Sequence, residues 1–168
     1  MSHILSAVPL TKSAFKDFGD VLEEEGATRL DINQGYGIRY TDLADVQISA
    51  EGGAANVSFI SGTVRPYPIA IIVMERHPLG SQIFYPLQDR PWLVVVCKDP
   101  RDPSSFRAFH ASGRQGVNYA PGVWHHPLLV RENGSRFLVV DRKGPGNNLE
   151  EYWCDAAHIS LPVEPLFR

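Results

Sequence analysis

The strongest limit on how this chain can fold is a series of apolar runs that are all too short for helices. "ANVSFIS", "IAIIVME", "SQIFYPL", "WLVVVCK", "FRAFH", "PLLVRE" and "RFLVVDRK" are each rich in β-branched or aromatic residues. Gly, Pro, Asp and Asn separate them at intervals of roughly ten residues, the spacing of a sandwich or barrel. A chain of 168 residues can bury roughly two-thirds of its unfolded surface around one core. The expected fold is therefore mainly β, in a single domain over 1–168. No internal repeat or linker divides it, and "CKDPRDPSSF" reads as a loop between strands. The core is expected over about 1–143, with 144–168 ("GPGNNLEEYW…") as an irregular tail wrapped over it.

One short N-terminal helix is expected in "PLTKSAFKDFGDVL". Thr11 suits the N-cap, Leu10 and Phe15 can form a hydrophobic staple, and Gly19 suits a left-handed C-terminal residue.

Charge and cysteine usage narrow the function class. A net charge of −3 does not favour nucleic acid or an anionic membrane as partner, although a local pair of arginines can still hold a small anion. No run approaches the ~18 apolar residues of a membrane span, and the apolar stretch near the N-terminus is too short for a signal peptide. Cys97 and Cys154 have no CxxC partner, so neither a thiolate metal site nor a disulfide framework is expected. The expectation is a cytoplasmic protein acting on a small molecule.

Two segments concentrate the chemistry. In "IAIIVMERHPLGSQIFYPL", residues 69–87, strand alternation would put Ile69, Ile71, Val73, Glu75 and His77 on one face. That face would carry a carboxylate and an imidazole to the mouth of the interior. Pro78-Leu79-Gly80 makes the turn, and the returning strand sets Gln82 and Phe84 on one side. A buried Glu75 needs a metal, a cation or a proton, because an unpaired buried carboxylate costs several kcal/mol. The alternative is a solvated strand end that His77 merely closes. In "GVNYAPGVWHHPL", residues 116–128, a Pro-Gly turn precedes His125 and His126, and Pro127 biases His126 to an extended conformation. Strict alternation allows only one of the two imidazoles to face inward.

The two segments also resemble the paired motifs of the cupin barrel, a jelly-roll-like double-stranded β-helix. Glu75, His77 and Gln82 fall on the spacing of the first motif, and Pro121, Gly122 and His125 on that of the second. Glu75 stands where a cupin has histidine and Gln82 where it has glutamate. The full three-histidine, one-carboxylate cage is therefore absent, while a divalent ion such as nickel, held by Glu75, His77 and His125, stays open. No cofactor is required by the pattern. More closely, "INQGYGIRYTDLA", "ERHPLGSQIFYPL", "GRQGVNYAPGVWHHPL" and "FLVVDR" together resemble the ureidoglycolate lyase family. The likeness runs from "PLTKSAFKDFGDVLE" to Asp141-Arg142.

That resemblance implies cleavage of (S)-ureidoglycolate to glyoxylate and urea in allantoin breakdown, and a homodimer. The N-terminal strand or the "WLVVVCK" strand are the expected contacts. The reaction needs a base for the hydroxyl proton, an acid for the departing nitrogen and an anchor for the carboxylate. His77 and Glu75 are the candidate base and its orienter, and His125 the candidate acid. Gln82 and Tyr119 suit the urea amide. Arg39 is the first candidate for the carboxylate, ahead of Arg76 and Arg142; its alternative is a surface salt bridge with Asp42 or Asp45. Trp124 is expected as a wall or subunit contact. The rival readings are a ureidoglycolate hydrolase releasing ammonia, a metal-dependent cupin oxygenase or isomerase, and a non-enzymatic small-acid-binding cupin.

Overall fold

The computed structural model describes residues 2–155 and 159–164. The N-terminal stretch forms β1 (His3–Ile4), β2 (Ala7–Pro9), a one-turn helix α1 (Lys12–Phe15) and β3 (Gly19–Leu22). A two-stranded ribbon, β4 (Thr28–Ile32) and β5 (Gly37–Thr41), precedes the long β6 (Ala54–Gly62). Short strands follow: β7 (Ile69–Ala70), β8 (Val73–Arg76), β9 (Gln82–Pro86), β10 (Trp92–Cys97), β11 (Phe106–Ala111), β12 (Gly116–Tyr119), β13 (Trp124–His125) and β14 (Leu129–Val130). The order ends with β15 (Ser135–Lys143), β16 (Glu150–Trp153) and β17 (Ile159–Leu161).

Every apolar run of the sequence contributes to a strand, and the strands pair into layers. A five-stranded sheet, β3-β12-β9-β15-β6, faces a larger one, β16-β8-β13-β10-β11-β2, on which β14 also pairs with β10. Successive strands pass between the two, a jelly-roll-like arrangement. A third small sheet, β1-β17-β7, covers the outer face of the larger one. This layering explains the unbroken run "WLVVVC". Trp92, Val94 and Val96 face the barrel interior with Phe84, Phe109, Phe137 and Val139. Leu93, Val95 and Cys97 face outward against Ile69, Ile159 and Leu161. A strand covered on both faces has no polar side to show.

Three expectations are corrected. The helix is only four residues long: Thr11 caps it by accepting from Ala14 N, and Phe18 N donates to Phe15 O to close the turn. Gly19 is therefore not its cap but the first residue of β3, at φ +146°. The run 69–77 does not keep one face inward. It breaks at residues 71 and 72 between two sheets, which puts Ile69, Ile71 and Met74 in the outer cluster while Glu75 pairs across to His125. The described part of the tail from Gly144 is irregular only outside two strands. Its β16 extends the larger sheet beside β8, and its β17 joins β1 to β7, because both find unpaired strand edges there.

α1 closes one end of the barrel. Phe15, fully buried, meets Phe109 edge-on at 5.8 Å and Tyr119 at 6.1 Å. β3 then runs against β12, with Gly19 opposite Tyr119. A Cβ at Gly19 would lie 1.8 Å from the carbonyl oxygen of Asn118, so only glycine fits this approach. Gly19→Ala is expected to lower unfolding stability by about 2–4 kcal/mol, read from the denaturant midpoint; a loss below about 0.5 kcal/mol would contradict the close approach.

Candidate active site

Four strands bring the polar residues together at one end of the barrel. β8 supplies Glu75, the turn after it His77, β13 His125, β12 Tyr119 and β9 Gln82. His125 is registered opposite Glu75, and Tyr119 opposite Gln82. The Tyr119 ring lies flat on His125, centroids 4.0 Å apart and planes 7° apart. Through Tyr119, the α1 plug therefore fixes the plane of a candidate catalytic imidazole.

Both imidazoles are held by their Nδ1 atoms. That of His77 donates to the Asn148 carbonyl at 2.8 Å, and that of His125 to the Val123 carbonyl at 3.0 Å. A carbonyl only accepts, so the proton of each neutral ring sits on Nδ1 and the Nε2 lone pair faces the interior. Nε2 of His125 stands 3.5 Å from Glu75 Oε1 and Nε2 of His77 stands 4.0 Å from it. Neither contact is a full hydrogen bond, and both Nε2 atoms are buried without a partner. Three lone-pair donors therefore converge within 4.8 Å. Two imidazole nitrogens and one carboxylate oxygen are a suitable donor set for a borderline divalent cation. The cluster is partly buried: the side-chain exposure of His125 is 1%, against 18% for His77 and 23% for Glu75.

The charge states follow from the surroundings. Burial raises the Glu75 carboxyl, but His125, then His77 and His126, outweigh it and hold Glu75 below its ordinary value. Burial, reinforced by His125, lowers His77, against the opposing pull of Asn148, Glu75 and Asp141. At neutral pH the site thus pairs an ionised Glu75 with a neutral His77 whose Nε2 is free to accept a proton. Burial, then Glu75, raises Tyr119, so its hydroxyl stays protonated.

The alternation argument for the histidine pair is corrected. Val96 pairs with His125 but Leu93 pairs with Leu129, so residues 126–128 stand opposite only 94 and 95. This one-residue bulge resets the alternation after His125. His126 then shares the phase of Leu128 and Val130, which pack on the barrel core. It is 3% exposed, its Nδ1 bonds Pro127 O at 2.7 Å, and its Nε2 has no partner.

The structure treats the arginines unequally. Arg142 is buried, with Nε and Nη2 donating to Ala50 O and Nη2 also to Pro145 O. It clamps two loops. Arg76 pairs with Glu150 at 2.6 Å and lies over the Trp124 ring. Arg39 is exposed on β5, outside the sheets that carry the cluster, with no ion pair to Asp42 or Asp45 among the described residues. Sequence reasoning missed Arg65. It is half-buried, has no ion pair among the described residues, and its field reaches His126. Nothing in "TVRPYP" marks it. It also missed Asn148, which orients His77, and Asp141, which holds Gln82 Nε2 at 3.1 Å.

Fold and site together define a two-sheet, jelly-roll-like β-barrel with a two-histidine, one-carboxylate cluster. The family model described as ureidoglycolate lyase matches residues 2–161. Ureidoglycolate lyase 1 of Rhizobium meliloti (strain 1021) is 51% identical over 160 residues, 95% of this chain and 94% of that protein. Ureidoglycolate lyases of Brucella melitensis biotype 2 (52% over 150 residues) and Stutzerimonas stutzeri (50% over 151) each cover 89% of both chains. A mutant of Bacillus subtilis oxalate decarboxylase is a looser likeness, with a TM-score of 0.35 and 10% identity over 64% of this chain and 26% of that one. The chain belongs to the ureidoglycolate lyase family.

One consequence of the bulge is measurable. Burial, with Arg65 and His125, lowers His126 from 6.5 to about 4, against opposing pulls from Pro127 O and Glu75. Between those values the unfolded chain takes up a proton that the folded chain refuses. Stability should therefore be full above about pH 6.5 and fall as the pH drops towards 4. In chelator-treated protein, denaturant unfolding at about pH 7 and pH 4.5 is expected to differ by roughly 2–3 kcal/mol more in the parent than in His126→Gln. Equal differences would show that His126 is not buried neutral.

Proposed function

We propose that this chain cleaves (S)-ureidoglycolate to glyoxylate and urea. The observation that carries the reading is the neutral, carbonyl-locked His77, whose Nε2 faces the interior beside an ionised Glu75. The reaction is an elimination. The hydroxyl proton leaves, its electrons form the glyoxylate carbonyl, the C–N bond breaks, and the departing ureido nitrogen takes a proton.

His77 accepts the hydroxyl proton at Nε2, and its Nδ1–H bond to Asn148 keeps that atom pointed inward. His125 delivers a proton from Nε2. That Nε2 stands 3.5 Å from Glu75 Oε1. Glu75 thus works with His125 more closely than with His77. Tyr119 holds the plane of His125 by stacking, and Gln82 meets the ureido amide. Where Glu75, His77 and His125 instead hold a divalent ion, nickel or another, the same Nε2 atoms would be its ligands, and it would polarise oxygen atoms of the substrate as a Lewis acid in place of their proton transfer. The substrate carboxylate needs a guanidinium that is not already spoken for. Arg65 suits this better than Arg142, whose Nε and Nη2 are engaged on backbone carbonyls.

The reading includes a homodimer in the cytoplasm. β10 has strand neighbours on both sides and cannot be the contact, whereas β2 is the last strand of its sheet, with Val8 48% exposed. Two free cysteines, Cys97 and Cys154, suit a reducing compartment. Among the described residues no helix is long and apolar enough to cross a membrane.

Incubating the protein with racemic ureidoglycolate, with and without chelator, and quantifying urea, glyoxylate and ammonia tests the reading. Equal urea and glyoxylate are expected; ammonia without urea would replace the lyase with a hydrolase. His77→Ala should lower kcat by about 10²–10⁴-fold while leaving the fold intact. Arg65→Ala should raise KM about ten- to hundredfold with a smaller change in kcat. An unchanged KM would remove Arg65 from the carboxylate site.

A further inference from the structure

The five-stranded sheet carries a polar row that the reaction chemistry alone does not require. Along β15, Phe137 and Val139 face the barrel core, and alternation continues that face to Asp141. Asn56 of β6 is registered opposite Asp141. Gln82 follows on β9 and Tyr119 on β12, opposite each other. Asn56, Asp141, Gln82 and Tyr119 thus lie in order across four adjacent strands, ending where Tyr119 stacks on His125.

The hydrogen bonds in this row have a fixed direction. Asp141 Oδ1 accepts from Asn56 Nδ2 at 3.0 Å, and Oδ2 accepts from Gln82 Nε2 at 3.1 Å. A carboxylate accepts only, so both amides must turn their NH2 groups to it. The Gln82 amide has no freedom to flip, and its other end must be the carbonyl oxygen. That oxygen, Oε1, is buried and has no partner. A buried, unpaired acceptor costs about 1–3 kcal/mol unless a ligand supplies the missing donor.

We propose that Asn56 and Asp141 are positioning residues that fix Gln82 Oε1 as an obligatory hydrogen-bond acceptor, which selects substrates carrying an N–H beside the scissile carbon. The proposal rests on the ureidoglycolate reading for the identity of that N–H group, the ureido nitrogen. It makes the site specific for an amide-type leaving group. An analogue that offers an oxygen acceptor at that position would face Gln82 Oε1 acceptor to acceptor.

Two ligands separate this role from general support of the fold. Ureidoacetate keeps the ureido and carboxylate groups of the substrate and lacks the reacting hydroxyl, whereas glycolate keeps the carboxylate and lacks the ureido group. Calorimetric binding of both to the parent protein is compared with binding to Asp141→Asn, which lets the Gln82 amide turn. Ureidoacetate affinity should fall about tenfold while glycolate affinity stays within about twofold. Asn56→Ala, on the outermost strand of the sheet, should shift ureidoacetate in the same direction by about two- to fivefold. The double variant Asp141→Asn with Gln82→Glu restores a carboxylate–amide pair in reverse order and again offers an oxygen to the site. It should regain much of the ureidoacetate affinity lost in Asp141→Asn.

Unchanged ureidoacetate binding in a folded Asp141→Asn would overturn the proposal, as would an equal loss for both ligands. If Asp141→Asn does not fold, unchanged binding in Asn56→Ala would overturn it instead. Turnover of ureidoglycolate by the parent protein is measured in parallel. Absent turnover with a preserved ligand split would remove the lyase reading and leave the positioning role standing; normal turnover without the split would do the reverse.

Discussion

The site depends on the convergence of three lone-pair donors in a partly buried space. Glu75 Oε1 and the Nε2 atoms of His77 and His125 repel one another unless a cation or a proton stands among them. Left to themselves the side chains would rotate apart, since each imidazole has a second nitrogen to offer. Carbonyls prevent this by taking the other nitrogen. Val123 O does so from the turn just before His125, and Asn148 O does so for His77 from a distant part of the chain. The repulsion is thus built in by backbone hydrogen bonds, which leave a donor set compatible with a metal ion.

Much of the remaining fold can be understood as what holds those carbonyls and rings in place. The tail carries Asn148, which binds His77 through its backbone oxygen and the Leu79 amide through its side chain. It is anchored by β16, whose Glu150 bonds Arg76 from the next strand. On the opposite side, α1 inserts Phe15 below Tyr119, and Tyr119 lies on His125. A one-turn helix contributes little as a helix. Its value here is one aromatic side chain in the right place, which accounts for its short length and its well-formed Thr11 cap.

The strands were legible because sheet burial imposes a local period. "WLVVVCK" and "RFLVVDRK" read correctly from composition and punctuation alone. Glu75, His77 and His125 were legible as a meeting point because each lies beside a turn, where strand ends from distant segments come together. The errors arose where alternation was carried through a break. Residues 71 and 72 are a crossing between sheets, and residues 126–128 contain a bulge; neither has a local signature. Pro127 constrains His126, yet it does not announce an extra residue. Asn148 lay in a tail without apolar periodicity, and its role is a backbone carbonyl, which any residue type could supply. Asp141 was within reach of the same reasoning that found Glu75, since it continues the inward face of Phe137 and Val139.

The arginines show why residue type is a weak guide to a binding role. Arg142 stands in a segment that resembles the family and has the guanidinium a carboxylate would want. Its position after Asp141 puts it on the other face of β15, where it meets Ala50 O and Pro145 O and packs against Gly53 and Gly80. The guanidinium thus ties the loop at Ala50 to the loop at Pro145. Arg76 is held by Glu150 and by the Trp124 face. A guanidinium already satisfied by the protein has less to gain from a substrate. The cation with most to gain is the half-buried Arg65, whose charge is uncompensated by any ion pair among the described residues. A carboxylate arriving beside it would supply the missing countercharge, so substrate binding and local electrostatic balance would be the same event.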